Sequence, residues 1–192
     1  MPTFDFSSFP VLETARLQLR QIVPDDAEAW LAVFNHPEVI HYLIDFKQPT
    51  TDLAEVSEII GWTQDIFAQK TGIRWGITLK PNPTLIGSCG LDQYSPANRR
   101  ADLGYELHRD YWRRGIMQEA AAAVLRFGFE TLNLHRIEAN VTLGNEASAG
   151  FLRHMGFAQE GTWRDRVYSR GRFHDLWQFS LLEHEFRPIS TL

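Results

Sequence analysis

Glu106 lies near the end of an alternating apolar run, Arg100–Leu107, and Trp112-Arg113-Arg114-Gly115 follows it. Next comes Ile116-Met-Gln-Glu-Ala-Ala-Ala-Ala, which is helix-forming sequence. The first N–H groups of a helix have no intrahelical partner, and the helix dipole is positive at that end. A glycine there lets backbone approach a ligand closely, and the two arginines can pair with phosphate oxygens. The segment therefore offers an anion cradle suited to a pyrophosphate. Glu106, a few residues before it, suits a general base acting directly or through a water. A second set is Asn145-Glu-Ala-Ser148. Asparagine is a good helix N-cap, and Ser148 would sit one turn in, with its hydroxyl on the same side. Each feature also has a structural reading: a plain turn, a solvated strand carboxylate, an ordinary cap.

The elements that must position these groups follow from periodicity. Arg16–Val23 alternates as a strand. Pro24-Asp25-Asp26 opens a helix to about Phe34, ended by Asn35-His36-Pro37, and a second helix runs from Asp52 to about Lys70. Ile73–Leu79, Leu85–Tyr94 and Arg100–Leu107 read as an antiparallel meander. In the last of these, Leu103, Tyr105 and Leu107 face one way and Asp102, Gly104 and Glu106 the other. The glycine-turned helix covers Gly115 to about Leu132, with Met117, Ala120, Ala121, Val124, Leu125 and Gly128 on one packed face. Strand Arg136–Thr142, helix Asn145–Met155 and a hairpin of Ala158–Tyr168 with Phe173–Leu182 complete the chain. The first ten residues read as an arm. The order implies one domain, residues 1–192, of α/β (α+β) class with a mixed sheet.

The composition bounds the function. The chain has 192 residues, 44% hydrophobic and 22% charged, with a formal net charge of −5. That suits a globular domain and argues against direct nucleic-acid binding. No run approaches the roughly 18 apolar residues of a membrane span. No signal peptide is visible, so the cytoplasm is the expected compartment. The one cysteine, Cys89, sits in an apolar run and reads as a buried small hydrophobe, not a nucleophile. The seven histidines show no metal-binding spacing, so no metal is expected. No nucleotide-binding glycine loop follows a strand.

Arg114-Gly-Ile-Met-Gln-Glu-Ala resembles the coenzyme A signature of the GCN5-related N-acetyltransferases (GNAT). Asn145-Glu-Ala-Ser with Met155-Gly-Phe resembles a further segment of the same family, and Asn35-His-Pro-Glu-Val, Gly161-Thr-Trp-Arg and Gly171-Arg-Phe-His-Asp-Leu resemble its Rim-type branch, which acetylates ribosomal-protein N-termini. The resemblance runs from about Arg16 to Leu182. It implies a mostly antiparallel six- to seven-stranded sheet with flanking helices, whose fourth and fifth strands splay into a cleft for acetyl-CoA. It further implies that backbone of Leu107 and His108 meets the pantetheine, and that Arg113, Arg114, Gly115, Ile116, Met117 and Gln118 hold the pyrophosphate. Asn145 would contact the pantetheine, and Ser148 would lie near the sulfur. Trp112 and Met117 depart from the signature, which has Gln or Arg and Gly or Ala there. Leu152 stands where many members carry a proton-donating tyrosine, which leaves Ser148 as the candidate donor.

The resulting expectation is direct acetyl transfer to a primary amine. Glu106 would deprotonate the amine, a backbone N–H would hold the oxyanion, and Ser148 would protonate or hydrogen-bond the thiolate. The expected acceptor is a protein N-terminus. A small amine is the alternative, and a non-catalytic acyl-CoA-binding module the contrasting class. Acceptor contacts are expected from the first two helices, the loop His41 to Thr51 with Asp45, and the closing hairpin with Arg164, Arg166, Arg170 and Arg172. Trp62, Trp75, Trp163 and Trp177 are expected as core or cleft walls. The branch allows a monomer or a homodimer.

Overall fold

The computed structural model describes residues 4–43 and 50–188. Its strands are β1 (Leu12–Glu13), β2 (Leu17–Gln21), β3 (Ile73–Leu79), β4 (Leu85–Ser95), β5 (Arg100–Leu107), β6 (Arg136–Thr142), β7 (Ala158–Ser169) and β8 (Arg172–Leu182). They form one sheet in the order β1-β2-β3-β4-β5-β6-β8-β7. Every pairing is antiparallel except β5 with β6. The expected strands are all present. The two-residue β1 is an addition, too short to show periodicity, and it brings the count to eight.

The helices are α1 (Ala27–Phe34), α2 (Pro37–Ile40), α3 (Leu53–Ala68), α4 (Ile116–Arg126) and α5 (Glu146–His154). The run Asn35-His36-Pro37 does more than end α1. Pro37 takes the first position of the one-turn α2, and the His36 ring accepts the Glu38 N–H as its cap. The helix expected to reach Leu132 leaves α geometry at Phe127 and continues as a π turn over Phe127–Thr131.

The period-two pattern separates two cores. On one face, Leu17, Leu19, Ile73, Trp75, Ile77, Cys89, Leu91 and Leu103 pack with Ala120, Ala121, Val124 and Leu125 of α4 and Ala149 and Leu152 of α5. The alanines let α4 lie close to the sheet. On the other face, Trp30, Val33, Phe34, Val56 and Ile60 of α1 and α3 pack with Ile22 and Leu85. The N-terminal arm is docked: Phe4 meets Phe127, Phe9 meets Trp75, and the Trp75 indole donates to Pro10 O at 2.6 Å. Trp75 is fully buried as expected, whereas Trp62 and Trp163 are exposed.

The ladder between β5 and β6 decides the architecture. It joins only Arg100–Asp102 to Arg136–Glu138, after which Leu103–Leu107 and Ala139–Thr142 have no ladder between them. The two parallel strands part there and leave one edge of β5 open.

Candidate functional site

The turn after β5, where the sequence suggested an anion cradle, is built on two residues of positive φ. Gly115 caps α4 at φ +70°, where any side chain would be strained, and Arg113 also adopts positive φ (59°). The Glu119 N–H bonds Gly115 O at 3.1 Å, so the N–H groups of Ile116, Met117 and Gln118 precede the first helical bond. Arg113, Arg114 and Gly115 are exposed. Buried Glu119 braces the turn from below. It accepts from Thr14 Oγ1 (2.6 Å) and from Arg16 N (2.9 Å) and Nε (2.6 Å), while Arg16 Nη1 donates to Arg114 O (3.0 Å).

Two of the backbone groups expected to face a pantetheine are engaged within the protein. The His108 N–H donates to Ile86 O at 2.8 Å, and the Trp112 indole donates to Leu107 O at 2.8 Å. Hydrogen-bonded and non-hydrogen-bonded pairs alternate in an antiparallel ladder, so the N–H and C=O groups of Tyr105 and Leu107 point to the open edge of β5.

Glu106 projects from the face of β5 opposite Tyr105, as strand alternation predicts, and there it is buried against α1 and bound from three sides. Oε1 accepts from Trp30 Nε1 (3.0 Å) and Ser88 Oγ (2.5 Å), and Oε2 accepts from Arg74 Nη2 (2.8 Å). Arg74 also donates from Nη1 to Asp92 Oδ2 (2.7 Å) and from Nε to Ser88 Oγ (2.8 Å), closing a ring of charge-assisted bonds. Burial pulls the guanidinium's pKa down, but Asp92 and Glu106 more than offset this and leave it raised. Gly104 makes the space, since a Cβ there would lie 2.8 Å from Arg74 Nη1 and 3.0 Å from Asp92 Oδ2.

Sequence reasoning passed over Arg74, Trp30 and Ser88. The available signal was one arginine inside β3, a strand buried along nearly its whole length. Asp102 is Asp92's ladder partner and lies where β5 and β6 part. Burial, with Glu138 beside it, raises its carboxyl to about 6.

Asn145 and Ser148 come together on the opposite face. Asn145 Oδ1 accepts the Ser148 N–H (3.1 Å), which is the expected N-cap. Ser148 Oγ lies 2.6 Å from the hydroxyl of Tyr105, a side chain not singled out from the sequence. Leu152 is buried in the core.

Where acceptor contacts were expected, Arg170 donates to the carbonyls of Ile40 (2.7 Å), His41 (3.0 Å) and Leu43 (3.1 Å), tying the hairpin tip to the end of α2. Arg164, Arg166 and Arg172 are exposed. Asp45 lies outside the described residues. Among the described residues, no cluster of three or more His, Cys, Asp or Glu could hold a metal, and no helix is long and apolar enough to cross a membrane.

An open parallel edge, a glycine-capped helix at its foot and a buried carboxylate beside it form one arrangement. A family model described as an acetyltransferase (GNAT) domain matches residues 16–158. The chain belongs to the GNAT family of N-acetyltransferases. It is 38% identical over 178 residues to the uncharacterized N-acetyltransferase YoaA of Bacillus subtilis (strain 168), covering 91% of this chain and 98% of that one. It is 26% identical over 170 residues to the [ribosomal protein uS5]-alanine N-acetyltransferase of Escherichia coli (strain K12), covering 85% and 86%. The fold matches the solved structure of RimL, a ribosomal L7/L12 alpha-N-protein acetyltransferase, in complex with coenzyme A, with a TM-score of 0.80 at 19% identity over 90% of this chain and 98% of that one. The protein is thus an acyltransferase, and enzymes of this family take the acetyl group from acetyl-CoA and move it to an amine.

Proposed function

We propose that this N-acetyltransferase acetylates the α-amine of a protein N-terminus. The observation that carries this reading is the state of Glu106. A carboxylate offers about four lone-pair sites, and three are taken by Trp30, Ser88 and Arg74. One site remains for an incoming ammonium or a bridging water. A single open position suits an acceptor that is already easy to deprotonate. An α-amine, at a pKa of about 7.7–8.0, is on the order of one-tenth free base at neutral pH, whereas a lysine-type amine at about 10.4 is well under roughly one-thousandth free. The relation to the uS5-alanine N-acetyltransferase agrees with this reading.

In the proposed reaction, acetyl-CoA lies along the open edge of β5, its pyrophosphate on the N–H groups of residues 113–118 and its pantetheine on the Leu107 backbone and Asn145. Glu106 takes the ammonium proton, directly or through water. The free amine attacks the thioester carbonyl, and an N–H of the open edge holds the oxyanion. The carbon–sulfur bond then breaks, with Ser148 at the sulfur. No acyl-enzyme is formed. Burial pushes the Cys89 thiol up to about 12, so it stays an unreactive core residue.

A small polycationic amine is the second reading, drawn from Asp92, Asp102 and Glu138 on the same sheet face. It is weaker because Arg74, Arg100 and Arg136 already pair with these carboxylates.

The test is a competition at neutral pH between a peptide with a free N-terminus and no lysine, the same peptide blocked at its N-terminus and carrying a lysine, and spermidine. Mass spectrometry should find the acetyl group on the free N-terminus at least ten times faster than elsewhere. A preference for spermidine or lysine would overturn the proposal.

A further inference from the structure

Tyr105 is a chemistry-bearing side chain in contact with Ser148 that the reaction above leaves without a role. It projects from β5 on the face opposite Glu106. Its ring packs edge-on against Phe151 of α5, centroids 4.9 Å apart, and its hydroxyl lies 2.6 Å from Ser148 Oγ. Resting on the acetyl-CoA reading, which places the thioester sulfur at Ser148, we propose that Tyr105 is the positioning residue of Ser148: its phenol donates to Ser148 Oγ and so turns the serine O–H toward the sulfur. The two hydroxyls in series then hold the leaving thiolate.

The alternative polarity fails on proton counting. A serine that donates to the phenol has no second proton, and it presents only lone pairs to the sulfur. The choice between hydrogen bonding and full protonation follows from acidity. A thiol such as that of cysteine titrates at about 8.5 and a tyrosine at about 10. Burial raises the Tyr105 phenol further, more than its bond to Ser148 lowers it. Moving a proton from phenol through serine to sulfur is therefore uphill. When the carbon–sulfur bond breaks, its electron pair goes to sulfur, and coenzyme A leaves as a hydrogen-bonded thiolate. Both hydroxyls keep their protons. A chain of two hydroxyls stabilises the charge better than an unsupported serine, because the first bond polarises the second. The helix residue Leu152 supplies no phenol, and the strand supplies one instead.

The test reads the sulfur without needing the acceptor. Coenzyme A bound to the full-length protein is titrated between about pH 6 and 8.5, a window in which a thiol with a pKa of about 8.5 becomes about half ionised and tyrosines at about 10 stay almost wholly protonated. Thiolate ultraviolet absorbance is followed, with the protein alone subtracted. The bound thiol is expected to ionise about tenfold more readily than free coenzyme A. Tyr105→Phe should remove most of that gain, Ser148→Ala all of it, and the double variant no more than Ser148→Ala alone. Acetyl-CoA turnover with a peptide acceptor should fall about tenfold in Tyr105→Phe, with KM for acetyl-CoA within about twofold. If Tyr105→Phe melts well below the wild type, a fluorinated tyrosine at position 105 keeps the hydroxyl and makes it a stronger donor. It should then make the bound thiol still more acidic. A bound thiol that ionises normally, one that ignores both changes at position 105, or additive effects of Tyr105→Phe and Ser148→Ala would each overturn the proposal. Failure of coenzyme A to bind the wild type would instead remove the reading on which it rests.

Discussion

Glu106→Gln is expected to lower acetyl transfer about a hundredfold at pH 6.5, with KM for acetyl-CoA changed by less than about twofold, because a positioned base contributes on the order of 100-fold or more. The defect should shrink as pH rises. The base matters only while the acceptor is an ammonium, and by about pH 9 more than roughly nine-tenths of an α-amine is already free. A steady-state pH profile of both proteins should therefore show their curves converging above about pH 8. A defect that stays constant with pH would mean that Glu106 acts only as a structural member of its cluster. The same substitution places an amide where Arg74 needs a carboxylate oxygen, so a melting curve must accompany the kinetics.

Arg74→Met should carry the largest stability cost. Arg74 is the shared cation of Asp92 and Glu106, at 2.7 and 2.8 Å, and all three side chains are largely buried. Removing one partner of a buried ion pair costs about 3–5 kcal/mol, because the charge left behind is neither solvated nor paired. For a chain of this size that is a fall of about 6–20 °C in Tm. Arg74→Lys should fall between the two, since one ammonium keeps the charge but not the fork that reaches Asp92, Glu106 and Ser88 together. Differential scanning calorimetry at pH 7 checks both variants. An Arg74→Met protein that melts with the wild type would contradict the account of how Glu106 is held.

Much of the fold was legible because period-two and helical patterns are local. β3, β5 and β6 begin and end where their alternation does, and Gly115 marks the start of α4. The departures have local causes too. Two residues of β1 are too few to show a period. In α2, Pro37 starts a turn at a place where prolines also stop helices. The π turn after Arg126 buries Phe127, Gly128 and Phe129, so its apolar residues read in the sequence as a continuation of the helix.

The site was legible only in part. Alternation placed Glu106 and Tyr105 on opposite faces of β5, but it could not say what faces them. Trp30, Arg74 and Ser88 reach Glu106 from positions 76, 32 and 18 residues away in sequence, and Tyr105 meets Ser148 across 43. Such partners are set by how the sheet stacks on its helices. No single-segment pattern encodes them. Hence a carboxylate that could equally be read as a solvated strand residue lies at the centre of a buried ring, and Ser148, with Leu152 one turn on, meets a phenol from another element.

The most direct measurement of the central claim is a crystal structure of the protein with coenzyme A. The account predicts the pyrophosphate on the N–H groups of residues 113–118, the pantetheine along the open edge of β5, and the sulfur within hydrogen-bonding distance of Ser148 Oγ with Glu106 across the cleft. Coenzyme A seated away from the gap between β5 and β6, or its sulfur out of reach of Ser148, would contradict it.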